Sequence, residues 1–374
     1  MIYKHELNKK DIAEIKRDKT VCIYGAGIVA KAFAARLIEI LGIHLGFFCD
    51  RDKEKWNTEI IPSIMCISPD ELKAKENVVC FVLVGQHFTQ SALDDLGKLD
   101  NIDWIITYDD LLDMDCIIEG ILSLNEIQAE SVIATNRDWE EGLFEVPNNS
   151  GKRIAVYTCI TGGYDQLQQP EIISDEFDYF CILDGKEGKE GAFQLIDTGN
   201  VVPECVADNT RRNRFCKIMG SHLFKNYDYS IYIDGNIRIV GEGLLKYISC
   251  MNEHGFMSHS HAFEDCIYSE AVRVIMNGKE EESKIKAQMA RYRNEGMPRH
   301  YGMLHNAVLV RENNNPICRK LMTNWWNEVF SSSRRDQLSL TYCLWKMGIK
   351  PQEVGTLGPN MRANDDFVWV NRHL

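Results

Sequence analysis

YSIYIDGNIRIV, residues 229–240, is an apolar strand that breaks at Asp234, Gly235 and Asn236 and then turns apolar again. Two oxygen-bearing side chains flank a glycine, so both can face one bound cation while the backbone at Gly235 admits a diphosphate. The same residues also read as a hairpin, because Asp-Gly between two apolar runs is the strongest short-range signal for one.

Upstream, RIAVYTCI and FDYFCILD are two further apolar runs, and helix-like sequence separates the second from residues 229–240, so the spacing predicts an α/β unit starting near Arg153. The first run carries Thr158 and leads into TGGYDQL, where Gly162 and Gly163 can bring backbone amides to a nucleotide and Tyr164 can stack on a base; a plain turn is the other reading. Asp184 ends the second run, where a carboxylate accepts a hydrogen bond from a base or ribose, or closes a turn. In NTRRNRFCKIMGSHLF, residues Arg211, Arg214 and Lys217 recur at helical spacing and form one basic face, suited to a diphosphate or to pairing with surface acids.

Downstream, GFMSHSHAF predicts a strand with His259 and His261 on one face, and KEEESKIKAQMARYRNEG predicts a solvated helix. AVLVRE reads as a strand. In NWWNEVF the neighbouring Trp325 and Trp326 cannot face the same way, which makes Trp326 a candidate for an acceptor groove and core the alternative. SSSRRDQLSLTYCLW places Asp336 at a helix start, a candidate catalytic carboxylate followed by Gln337 as a candidate substrate contact, while Ser333 to Asp336 also spells a capping box. His373 near the end either folds back onto a metal or belongs to a frayed terminus.

The N-terminal part has its own layout. After a charged helix over residues 1–19, the strand TVCIYG stops at Gly25-Ala26-Gly27 and a helix follows at once; IHLGFFCD then ends on Asp50. This is a G-x-G-x-x-A pattern between strand and helix, with Gly25, Gly27 and Asp50 as candidate nucleotide contacts, or a device for tight strand-to-helix packing. Apolar segments at 60–67, 78–85 and 102–108 complete a small doubly wound sheet. No hydride-transfer constellation accompanies it. The expected organisation is a Rossmann-like domain over 1–115, a helical linker over 116–151 that opens with an amphipathic helix over 116–136, and a second α/β domain over 152–374.

The chain of 374 residues carries a formal net charge of −13, which disfavours nucleic acid as a partner. Its thirteen cysteines are scattered, mostly inside apolar runs and never as CxxC, and read as reduced core residues. The sequence shows no apolar signal core and no spanning segment, so a cytoplasmic protein without a membrane span is expected, and Glu140 and Glu141 are expected on a solvated surface.

Two resemblances follow. The N-terminal part resembles the Rossmann-like domains of bacterial sugar-modifying acyltransferases, also fused to some glycosyltransferases, which implies sugar-nucleotide binding or docking. IAVYTCITGGYDQL, RRNRFCKIMGSHLFKNYDYSIYIDGN, NWWNEVF and SRRDQLSLTY, in that order, resemble the glycosyltransferase-like family whose plant members include turgor-regulation and seed-mucilage proteins. The resemblance spans roughly residues 153–345 and implies a GT-A type α/β fold, a nucleotide-diphosphate-sugar donor, a glycan or lipid-linked acceptor, and Mn²⁺ or Mg²⁺ at Asp234 and Asn236 with a histidine, such as His373, His261 or His259. Asp234 and Asp336 then become the catalytic candidates. The usual motif of that fold is Asp-x-Asp; the neutral Asn236 departs from it and motivates an alternative, a degenerate sugar-nucleotide-binding or scaffolding protein.

Overall fold

The computed structural model describes residues 2–123, 137–358, 361 and 364–370, which form two compact units, one from residues 1–128 with 268–290 and one from 129–267 with 291–374. Each contains a seven-stranded sheet, so the α/β expectation with two sheets holds.

In the first unit the strands are β1 (Ile2–Tyr3), β2 (Thr20–Tyr24), β3 (Leu45–Cys49), β4 (Glu59–Ile61), β5 (Ile64–Ile67), β6 (Val78–Val82) and β7 (Ile102–Thr107). Their order is β1-β7-β6-β2-β3-β5-β4, parallel except for β4 against β5. All five residues of β6 are buried, as a continuous VVCFV run on a two-sided parallel sheet requires. The chain steps outward from β2 to β3 and β5, then returns to place β6 on the other side of β2, which leaves a crevice beyond the carboxyl ends of β2 and β6.

Several expectations change here. The helix predicted over 1–19 starts only at Lys9, capped by Asn8 and Asp11, because the preceding residues are drawn into the sheet edge beside β7. The 60–67 segment is two antiparallel strands rather than one. The amphipathic helix of 116–136 is described only as Asp115–Leu122, a helix with four buried apolar residues in the first unit; residues 124–136 lie outside the described residues. The charged segment near 280 is not a solvated helix: Glu282–Asn294 buries Ile285 and the whole run from Gln288 to Tyr292, polar residues included, so this stretch is covered on all sides rather than along one apolar face.

The second unit has β8 (Ile154–Ile160), β9 (Phe177–Leu183), β10 (Gly188–Glu190), β11 (Phe193–Asp197), β12 (Tyr229–Ile233), β13 (Ile237–Ile239), β14 (Phe256–Ser260), β15 (Leu304–Glu312) and β16 (Phe367–Trp369). The main sheet runs β10-β11-β9-β8-β12-β15-β14, with β12 parallel to β8 and antiparallel to β15. β13 does not return along β12. It pairs with β16 in a separate two-stranded ribbon, so Asp234-Gly235 is a turn between two sheets and the hairpin reading fails. Asp234 O accepts from Ile237 N at 3.0 Å to close that turn. Gly235 is needed for packing, since a Cβ there would lie 3.0 Å from Ile160 Cγ1 and 3.3 Å from Asp165 Oδ2.

All thirteen cysteines are free and ten are buried, in line with the reading as reduced core residues. Among the described residues no helix is long and apolar enough to cross a membrane.

Candidate active site

Parallel strands β8, β9 and β12 end at one edge of the second sheet, and their loops deliver Thr161-Gly162, Asp184 and Asp234 there. Because β15 is antiparallel, its first residues reach the same edge, and Asp234 N donates to Ala307 O at 2.9 Å. His305 and Asn306 therefore arrive beside the turn.

The helix Asn209–Ile218 supplies the cations. Lys217 Nζ lies 3.2 Å from Asp234 Oδ1 and 3.0 Å from Asp336 Oδ2, and Arg214 Nε lies 2.8 Å from Asp336 Oδ1. Lys217 and Asp336 have side chains only 3% and 6% exposed, whereas Arg214 and Asp234 are 19% and 28% exposed, so two carboxylates and two cations form one network that is dry at Lys217 and Asp336 and open to solvent at Asp234. Burial alone would push the Asp336 carboxyl up; Arg214 and Lys217 outweigh it and hold the group well below the usual carboxylate range. The same carboxylate, with Asp234, holds the partly buried Arg214 guanidinium charged.

Asp336 does not close the capping box its sequence spells. It takes helical dihedrals (φ −55°, ψ −30°) at the start of the helix Gln337–Lys346 and makes no side-chain cap, because its carboxylate is turned to Arg214 and Lys217. Trp325 Nε1 donates to the Asp336 carbonyl at 3.0 Å and fixes that turn. Gln337 Nε2 donates to Leu304 O, tying the helix start to the start of β15.

The other predicted residues divide. Arg211 does not join the basic cluster: it holds Asp208 at 3.0 Å and donates to the carbonyls of Val329 and Ser332, at the end of the helix Pro316–Ser331. Asp184 is already engaged, accepting from Gly162 N at 2.7 Å and Thr198 Oγ1 at 2.6 Å and pairing with Arg212 at 3.3 Å, so it shapes the Gly162 loop. Tyr164, on that loop, is 54% exposed, whereas Thr158 is buried and its hydroxyl has no hydrogen-bond partner among the described residues. Trp326 lines no acceptor groove; it is fully buried against Trp139, Phe215 and Phe330, and the helix twist that separates it from Trp325 still leaves both inside. Glu140 is exposed yet bonded to the buried His222 at 3.0 Å and to Arg319 at 3.0 Å.

Of the histidines, His261 Nδ1 accepts from Glu264 N at 2.9 Å, closing a turn, and the buried His259 sits 3.2 Å from Asn364 Nδ2. His373 lies outside the described residues. His305, which sequence reasoning missed, is the histidine that feels Asp234; burial and the neighbouring His261 push its pKa down to about 4, which keeps its ring neutral. Its Nδ1, the Asn236 amide nitrogen and both amide atoms of Asn306 are buried and make no hydrogen bond among the described residues. A carboxylate, an amide and a neutral imidazole with orphaned polar atoms suit a hard or borderline divalent cation. The signal for His305 and Asn306 was present: two polar residues inside the apolar strand LHNAVLVRE.

Comparison with known proteins adds a family. The model described as the TOD1/MUCI70, glycosyltransferase-like domain matches residues 146–365. A protein named probable hexosyltransferase MUCI70, from Arabidopsis thaliana, is 27% identical over 240 residues, covering 56% of this chain and 40% of its own length. The chain thus spans about two fifths of that relative. Among solved structures, the galactosyltransferase LgtC in complex with donor and acceptor sugar analogues is 12% identical, covering 50% of this chain and 70% of its own, with a TM-score of 0.30. The bifunctional glycosyltransferase WbbM is 8% identical over 87% of this chain and 37% of its own, with a TM-score of 0.25.

Proposed function

Because the chain belongs to the TOD1/MUCI70 glycosyltransferase-like family, we propose that its second unit, of GT-A type, moves a hexose from a nucleotide-diphosphate sugar to a hydroxyl of a glycan or lipid-linked acceptor. The observation that carries this reading is the ion-pair network of Asp234, Lys217, Asp336 and Arg214, buried at Lys217 and Asp336, at the carboxyl edge of β12.

In such a transfer the bond from the anomeric carbon to the diphosphate breaks, and negative charge collects on the leaving group. Lys217 and Arg214 are cations already fixed by Asp336, so their attraction for that charge needs no reorganisation. Asp336 is the wrong carboxylate for a general base, because a group held so far below its ordinary range accepts a proton poorly. Its role is to orient: it sets both cations and accepts hydrogen bonds from sugar hydroxyls. Tyr164 is exposed on the loop after β8 and offers a face to the donor base. Asp234, Asn236 and His305 would hold Mn²⁺ or Mg²⁺, which supplies further neutralisation of the departing diphosphate.

A screen of nucleotide-diphosphate sugars tests this by thermal shift and by transfer, with and without Mn²⁺, on wild type and Asp234→Ala. One donor should raise the melting temperature, by the equivalent of about 2.7 kcal/mol at a hundred times its Kd. That shift, its metal dependence and transfer should all vanish in the variant. Undiminished metal-dependent activity in Asp234→Ala refutes the assignment, and donor binding without transfer or hydrolysis favours the degenerate reading that Asn236 motivates.

A further inference from the structure

Among the described residues of the second unit, the aromatic side chains that stand exposed are Tyr164, Phe263 and Trp369, at 54%, 64% and 37%. All three lie at the edge of the main sheet where Asp234 sits. Tyr164 is on the loop after β8. β14 pairs antiparallel with β15, and β15 with β12, so β14 runs the same way as β12 and the turn after it, which carries Phe263, reaches that edge. Trp369 is brought there by β16, whose register sets it opposite Ile237, the residue after Asn236. Exposed apolar side chains scattered singly need no account, but three rings confined to the edge of the candidate site do.

Trp369 is the most firmly placed. Along β16 the side chains alternate: Phe367 turns inward, 3% exposed, its ring 6.2 Å from that of Tyr247 and 6.3 Å from that of His259, and Val368 points the other way at 48%. Trp369 shares the face of Phe367 but stands beyond its packing, T-shaped against the His305 ring with 6.0 Å between centres. Val370 N then donates to Asn236 O at 3.0 Å, which ties the end of the strand to the turn that carries Asp234. The indole is therefore held in place before a ligand arrives, which lowers the ordering cost of binding.

The turn after β14 forms the other wall. His261 Nδ1 accepts from Glu264 N at 2.9 Å, which closes the turn around Phe263, and the His261 ring lies 5.9 Å from that of His305. Sheet order then divides the site. Asp234 ends β12; Tyr164, which offers its face to the donor base, is on the β8 side, whereas Phe263 and Trp369 are on the side of β15 and β14.

We propose that Trp369 is an acceptor platform: its indole face stacks on a sugar ring of an oligosaccharide acceptor, and Phe263 takes a sugar further along the same glycan. The role as acceptor rests on the transfer reading; the binding does not. C–H bonds on one side of a pyranose make an apolar face whose partial positive charge meets the negative face of the indole, while the hydroxyls stay at the rim. A glycan fits better than an anionic lipid surface, because Asp365 and Asp366 precede the strand and the chain carries a net charge of −13.

The probe is an array of di- to tetrasaccharides of glucose, galactose, xylose, mannose and N-acetylglucosamine, titrated into the full chain alone and with Mn²⁺, UDP and GDP. At least one oligosaccharide should bind, about tenfold or more weakly in Trp369→Ala, with most of the affinity restored in Trp369→Phe. Phe263→Ala should weaken tetrasaccharides and spare disaccharides. Val368→Ala, on the opposite face of the strand, should change neither, and the melting temperature should be the same throughout. No glycan bound at millimolar concentration, or equal affinity in wild type and Trp369→Ala, overturns the proposal. So does retention on phosphatidylglycerol vesicles that Trp369→Ala abolishes while no glycan binds, since it assigns the ring to a lipid surface. Binding is read without turnover, so glycan binding through Trp369 with no transfer from any donor upholds the platform and removes the transfer reading, whereas donor hydrolysis with no glycan bound does the reverse.

Discussion

Replacing Lys217 with methionine keeps the length of the side chain and removes one charge from between two carboxylates. At an effective dielectric of about 20, the ammonium attracts each carboxylate, 3.0 and 3.2 Å away, with about 5 kcal/mol. Most of that is offset in the native protein by the cost of drying a lysine that is 3% exposed. What the substitution adds is a buried Asp336 left to Arg214 and the neighbouring Arg335, and breaking such a network by removing one partner costs about 3–5 kcal/mol. For a unit of roughly two hundred residues, 3 kcal/mol corresponds to a fall in Tm of about 6–12 °C. The assay is calorimetry on Lys217→Met, Asp336→Asn and the double variant. The double variant should be less damaged than the sum of the singles by at least about 1.5 kcal/mol, because each single change strands the other charge. A Lys217→Met protein within 2 °C or so of wild type, or a coupling below about 0.5 kcal/mol, would refute the network as described.

Two further outcomes are expected. Trp326→Ala should cost about 3–5 kcal/mol of stability through loss of its core packing, while the acceptor KM of the surviving enzyme stays unchanged; a KM effect with little loss of stability would return Trp326 to the acceptor site. His222, buried and beside Arg319, is pushed down to about 4 from an ordinary value near 6.5. The unfolded chain therefore binds more protons than the folded one between those values, so its contribution is complete above pH 6.5 and is lost as pH falls toward 4, by up to roughly 3 kcal/mol; His222→Gln should flatten the decline of Tm over that window, and an unchanged slope would count against it.

The central strands of both sheets were legible because buried parallel strands are near-continuous apolar runs, as in VVCFV and IAVYTCI, whereas the edge strands β1, β10 and β11 were not read. Asp234 and Asp336 stood out as polar breaks at element ends. What the sequence hid depends on tertiary pairing. Arg211, Arg214 and Lys217 share a helical face by spacing, yet small angular differences send Arg211 to backbone carbonyls and the other two to Asp336. His305 comes to Asp234 only because β15 runs antiparallel to β12, a register no local pattern encodes. The hairpin reading of Asp234-Gly235 failed for a related reason: the partner of β13 is β16, about 130 residues later. The helix at Glu282–Asn294 was misjudged because tertiary packing buries the run from Gln288 to Tyr292, polar residues included, which no local pattern signals.

The return of residues 268–290 to the first unit also bears on synthesis. A nascent chain usually completes its N-terminal domain before the next one emerges. Here the first unit lacks Arg273, Glu282 and Ile285 until residue 290 has left the ribosome. At about 5–20 residues per second, that delay after residue 123 is on the order of ten to thirty seconds. Through that interval the first unit lacks residues 268–290, while residues 129–267 of the second unit emerge and become available to pair wrongly with it. A chaperone would have its greatest effect in that interval.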